Sequence, residues 1–176
     1  MPPLTNDFLA LALKMPRTQF VTAHPVLFLV GRGALVAPDG PRRTMALENS
    51  EEITQPLDTD ALDEEQLPPP MLIAVRKTTD NFPSMITVGR TANNDVVLVD
   101  VSVSKFHAHF KTLPSGVALE LHDAGSRNGT WADGRAVERG TPVKVAVGAR
   151  LRFGRVDLSL IDAGRLWDEV RHQPDW

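Results

Sequence analysis

The sequence predicts an all-β sandwich of mostly antiparallel strands over residues 71–162. Three observations predict it. From Met71 onward the chain breaks into short apolar runs, turn residues punctuate those runs at close spacing, and no run approaches the roughly 20 residues of a membrane span. Residues 1–70 read as an N-terminal extension packed on or tethered to the sandwich, and residues 163–176 as a short C-terminal helix and tail.

The extension opens with an amphipathic helix expected over Leu4–Met15, with Asn6 or Asp7 as N-cap and Pro16 as its stop. A β-rich run, Pro25–Val30, follows and closes at Gly31-Arg32-Gly33. Pro38-Asp39-Gly40-Pro41 is turn chemistry, Glu48–Glu65 is acidic with scattered apolar residues, and Pro68-Pro69-Pro70 forms a stiff spacer. The helix and strand are expected to enlarge the sandwich core.

Strands are then expected at Leu72–Val75, Met85–Val88, Val96–Val99, His107–Phe110, Val117–Leu121, Val143–Val145, Leu151–Phe153 and Val156–Leu160. Asn93-Asn94, Pro114-Ser115-Gly116, Asn128-Gly129, Asp133-Gly134 and Arg139-Gly140 supply the turns between them. A final helix over Arg165–Arg171 would place Leu166 and Val170 on one face.

Bulk properties narrow the function. The 176 residues, 42% hydrophobic and 23% charged, suit one globular core with additions. With no cysteine there is no disulfide, thiolate metal site or cysteine nucleophile. The N-terminus lacks the basic and apolar regions of a secretory signal, which favours the cytoplasm. Net charge is −3, but residues 1–70 hold 5 basic and 10 acidic groups, whereas residues 71–162 hold 12 basic and 9 acidic. The mildly basic half suits an anionic ligand without reaching a nucleic-acid footprint.

The polar loop residues fall in three clusters, each where a strand begins or ends: Gly89-Arg90, Ser102–His107 and Asp123–Thr130. Loops held at one end of rigid sheets are where a sandwich places a binding site. The same residues bear on other chemistries. Ser104, His107 and Asp123 have the composition of a catalytic triad but no Gly-x-Ser-x-Gly elbow. His107 and His109 have a spacing that puts both rings on one face of a strand, with His122-Asp123 further on, yet no third metal ligand stands at a sharp spacing. Trp131, Trp167 and Trp176 read as packing residues rather than base-stacking platforms.

The chain resembles the forkhead-associated (FHA) domain family in Gly89-Arg90, Asn94-Asp95, Ser104-Lys105-Phe106-His107, Asp123 to Thr130, Gly134 and Phe153-Gly154, in the family's order and spacing. The resemblance implies a non-enzymatic module, without cofactor, that binds phosphothreonine on a protein partner within Ser/Thr-kinase signalling. It implies that Arg90 forks onto phosphate, Ser104 donates its hydroxyl, Lys105 and Arg127 add charge, and Asn128 grips the peptide backbone. Gly89, His107, Gly129 and Thr130 would shape and support the loops. Arg90 alone would also suit a surface ion pair, and Asn128-Gly129 a plain turn. The alternative function is a scaffold that binds protein without phosphate.

The family pattern leaves residues 1–70 unexplained. Thr54 precedes Leu57 by three residues and Thr59 precedes Leu62 likewise, both in acidic surroundings. FHA domains usually read the third residue after phosphothreonine, so either threonine, once phosphorylated, is a candidate ligand for the chain's own site.

Overall fold

The computed structural model describes residues 5–32, 70–113 and 118–172. Helices α1 (Thr5–Lys14) and α2 (Arg17–Ala23) lead into strand β1 (Leu27–Arg32). Strands β2 (Pro70–Val75), β3 (Ile86–Gly89), β4 (Val96–Val97), β5 (Ala108–Thr112) and β6 (Ala118–Asp123) follow. The chain finishes with β7 (Thr130–Ala132), β8 (Arg135–Ala136), β9 (Val143–Ala146), β10 (Arg150–Phe153), β11 (Val156–Asp162) and helix α3 (Ala163–His172).

Two sheets face each other. One runs β2-β1-β11-β10-β7-β8, the other β4-β3-β5-β6-β9. Every pairing is antiparallel except β3 with β4. Between the sheets lie Leu29, Val88, Phe110, Leu121, Leu151, Phe153 and Leu160, all essentially inaccessible. The six-stranded sheet also buries its outer face. Phe28, Leu72 and Ile161 point the other way from their strand neighbours and meet Phe8, Phe20, Leu166 and Val170 from the helices. Such two-sided burial pins the register, because a one-residue slip of β1 would exchange Phe28 and Leu29 between two differently shaped cores.

β1 is therefore an interior strand, paired with β2 on one side and β11 on the other. Its partners fix the polarity of that sheet end: Arg32 lies opposite Pro70, and Val30 opposite Ser159.

Several elements differ from the sequence expectation for identifiable reasons. α1 ends before Pro16 as expected, but a second helix follows directly. Pro16 is the N-cap of α2, where its missing N–H costs nothing. Asn6 and Asp7 fall inside the first turn of α1, which starts at Thr5. β4 is shorter than expected, stopping at Val97, whose parallel pairing with Gly89 is closed by Leu98 N–H donating to the Gly89 carbonyl. Asp133-Gly134 is more than a separator: at φ 49° and 79° the pair makes the tight turn of the β7–β8 hairpin. Thr54, Thr59, Trp176 and the Pro114-Ser115-Gly116 turn lie outside the described residues.

Candidate functional site

The three polar clusters meet at one end of the sandwich. β3 ends there at Gly89, β5 and β7 begin there, and β6 ends there at Asp123. Backbone bonds sew the loops together. Arg90 N–H donates to the Ser104 carbonyl at 3.1 Å, Ala124 N–H to the His107 carbonyl at 3.0 Å, and Gly154 N–H to the Gly129 carbonyl at 3.0 Å. Side chains complete the closure: Ser104 Oγ accepts from Arg127 N–H at 3.0 Å, and Asn128 Nδ2 donates to the Ser102 carbonyl at 2.7 Å. Arg90, Ser104, Lys105, Arg127 and Asn128 thus share one rim.

Gly89 is required by close approach. A Cβ there would run into the Lys105 carbonyl and come within 2.7 Å of Asn94 Nδ2. Gly129 is required by conformation as well, since its φ is 82° and a Cβ would strike the Trp131 ring.

His107 is wholly buried and braces two loops at once. Its Nδ1 accepts from Ser104 N–H at 3.0 Å, so the proton sits on Nε2, which donates to the Gly129 carbonyl at 2.9 Å. Burial pulls its pKa below the ordinary value, against the Gly129 carbonyl and the Asp123 charge, which raise it. A nucleophilic triad would need an imidazole nitrogen on Ser104 Oγ; here both nitrogens are engaged elsewhere. His107 and His109 do not share a face either. His107 precedes β5 and turns inward against the edge of Phe153, while His109 stacks outside on His122. Among the described residues no group of three His, Cys, Asp or Glu side chains is placed to hold a metal ion.

Two polar residues that the sequence left without a role prove central to the rim. Asp123 accepts from Gly125 N–H, Ser126 N–H, Ser126 Oγ and Thr130 Oγ1 at 2.6–2.9 Å, winding the β6–β7 loop around one carboxylate. Burial pushes its pKa up, but the Ser126, Thr130 and Gly125 donors outweigh this and hold it low. Asn94, buried, donates to the Thr91 and Lys105 carbonyls at 2.9 and 2.7 Å and ties the Arg90 loop to the Ser104 loop. Both belong to motifs visible in the sequence, but a carboxylate bonding to four nearby donors has no spacing of its own. Arg139 was also missed: its guanidinium lies over Gly125, within 3.3–3.5 Å of where a Cβ would stand.

What the rim offers is cationic and uncommitted. Arg90, Lys105 and Arg127 are exposed and, among the described residues, their side chains make no ion pair or hydrogen bond. Arg155 shows the opposite case on the neighbouring β10–β11 turn, where it forks onto Asp100 at 2.9–3.1 Å. Ser104 Oγ receives one N–H and still holds a proton to donate.

The FHA domain family model matches residues 86–154, the stretch that holds every candidate site residue. By this match the stretch resembles an FHA domain. β1, β2, β11 and the three helices lie outside the match. The chain is 36% identical over 89 residues to the FHA domain-containing protein FhaB of Mycolicibacterium smegmatis, covering 51% of this chain and 54% of that one. It thus spans about half the length of that curated relative. Among solved structures it is similar to an FHA domain from Chlamydia trachomatis, with TM-score 0.45 and 19% identity over 77% of this chain and 97% of the other. It is also similar to the N-terminal FHA domain of Rad53p from S. cerevisiae bound to a phosphothreonine peptide, with TM-score 0.41 and 24% identity over 48% and 72%.

Proposed function

We propose that this FHA domain binds phosphothreonine on a protein partner and acts as a non-enzymatic adaptor in Ser/Thr-kinase signalling, in the cytoplasm. The observation that carries the reading is the set of unpaired cations, Arg90, Lys105 and Arg127, around the Ser104 hydroxyl. A phosphate dianion has three acceptor oxygens and wants such donors. Each charge-assisted bond is worth roughly 1.5–3 kcal/mol, most where the donor owes nothing to an internal carboxylate. Asn128 is held by Ser102 through one N–H, which leaves its amide oxygen for an extended ligand backbone. Binding to a phosphopeptide library tests this. Enrichment of phosphothreonine sequences over phosphoserine and unphosphorylated ones is expected, and equal recovery of all three would leave only a phosphate-independent scaffold.

The chain's own Thr54 or Thr59, once phosphorylated, is a second ligand for the same rim. Topology favours it. Residues 33–69 leave from Arg32 and return at Pro70, which pair at the end of the sheet where β11 begins and Gly154 meets Gly129. A tether starting and finishing beside a site raises the local ligand concentration there. Phosphorylating the chain with a Ser/Thr kinase should then weaken capture of an external phosphopeptide, and Thr54→Ala with Thr59→Ala should restore it.

A further inference from the structure

The outer face of the six-stranded sheet holds a groove of about 820 Å³, lined in part by Val30, Trp131, Asp133, Arg150, Arg152 and Asp157. The strands dictate what it presents. Leu151 and Phe153 point into the core, so Arg150 and Arg152 point out, and Asp157 and Ser159 alternate in the same way with Leu158 and Leu160. The helices pack on Phe28, Leu72 and Ile161, and no residue of β7, β8 or β10 joins that layer. Arg150, Asp157 and Ser159 are exposed, and Trp131 and Arg152 half-buried.

The charges on this face are unpaired, unlike those elsewhere on the surface. Arg17 pairs with Asp168, Arg155 with Asp100 and Arg165 with Glu169, at 2.9–3.1 Å. Arg152 and Asp157 stand directly opposite across β10 and β11, where unlike charges attract. The Arg152 guanidinium instead lies over the Trp131 ring at 3.9 Å, and its Nε is buried without a hydrogen-bond partner. The Asp157 carboxylate is left with no ion pair or hydrogen bond among the described residues. Arg150 lies opposite Ser159, which makes it the diagonal neighbour of Asp157, and its guanidinium is equally unpaired among them.

We propose that this face is a two-fold interface with a second copy of the chain, in which Arg150 of each copy meets Asp157 of the other. Charge selects this occupant. A nucleic acid or an acidic peptide would meet Asp133 and Asp157, and a basic peptide Arg150 and Arg152. The face calls for a partner carrying both signs in matching order, and symmetry supplies one. A two-fold axis raised between β10 and β11 exchanges the diagonal neighbours Arg150 and Asp157, so each unpaired charge finds its opposite twice over. Sheets pack face to face roughly 10 Å apart, a gap that an arginine and an aspartate side chain bridge between them. Trp131 and Arg152 provide the aromatic and guanidinium surface that protein interfaces favour. None of Arg90, Ser104, Lys105, Arg127 and Asn128 lines the groove, so the inference stands apart from phosphothreonine binding.

Sedimentation of the whole chain at concentrations up to about 1 mM tests it. The wild type should form a dimer. Arg150→Glu and Asp157→Lys, both at exposed positions, should keep the melting temperature and each weaken the dimer about tenfold or more, because like charges then face each other. Mixing the two variants should restore association, since Glu at 150 in one copy meets Lys at 157 in the other while the native Asp157 and Arg150 pair across the axis. A wild type that stays monomeric overturns the proposal. So does a dimer that either single variant leaves unchanged, or two monomeric variants that remain monomeric when mixed. A monomeric wild type in which Arg150→Glu exposes residues 48–65 to a Glu-specific protease would give the face to the chain's own acidic segment, and refute the second copy. Indifference of the wild type to phosphothreonine would overturn the function proposed above and leave this interface standing.

Discussion

Arg90 and His107 are joined through Ser104 and differ in their contacts: the Arg90 side chain makes none among the described residues, and His107 is spent on internal partners. Arg90→Ala should therefore weaken phosphopeptide binding at least about tenfold while stability stays within roughly 0.5 kcal/mol, as for an exposed side chain without contacts. Calorimetric titration and a thermal melt read the two effects separately. His107→Ala should lower both. It leaves Ser104 N–H unpaired, strips one of the two donors from the Gly129 carbonyl and opens a cavity, a loss of about 2–4 kcal/mol. At this scale the sequence was informative because the motif residues are read by type: Arg90, Ser104 and Asn128 stand at the rim where their register placed them. It was silent on Arg139, which reaches Gly125 from another loop and belongs to no local pattern.

Loops and strands depend on buried charge more than their composition suggests. Asp95 is desolvated, which pushes its pKa up, yet Lys77 and the Thr87, Thr78 and Thr79 N–H groups outweigh that and hold the carboxyl far below its usual range. Its stabilisation is complete above the unfolded carboxyl value near 3.9 and fades as pH falls through that value towards the lower folded one. His109 acts in a higher window. Burial, then His122 and Lys111, lower it from 6.5 to about 4. Between those values the unfolded chain takes up a proton that the folded one refuses, so stability should fall as pH drops from 6.5 to 4. Urea midpoints across pH 3–7 check this, and His109→Gln should reduce the upper slope, leaving the part due to the depressed His107. Asp95→Asn should cost about 3 kcal/mol at neutral pH, because it leaves Lys77 unpaired beside a buried amide. Runs of branched and apolar residues made most strands legible. The β7–β8 hairpin was not, since Trp131-Ala132 and Arg135-Ala136 alternate weakly and only the Asp-Gly turn betrays them.

At the scale of the molecule, the stretch that matches FHA domains is one part of a three-layer body: helices, a six-stranded sheet and a five-stranded sheet. No described helix is long and apolar enough to cross a membrane. β1 lies between β2 and β11, so a chain starting at Met71 loses both ladders that hold the sheet edge and exposes Phe28's partners. Burial of Phe28 and Leu29 contributes about 1.5–3 kcal/mol each, and we expect the truncated chain to lose cooperative melting or aggregate. The sequence identified a helix and a strand in this region, but not that the strand would sit inside the sheet: periodicity locates an element and says little about its neighbours. The proposed function requires that the guanidinium of Arg90 and the hydroxyl of Ser104 at the rim meet a phosphate dianion. A calorimetric titration of one peptide in its phosphothreonine and plain threonine forms tests it most directly. Tight binding of the phosphorylated form alone, abolished by Arg90→Ala in a protein that melts normally, is predicted; equal affinity for both forms would contradict it.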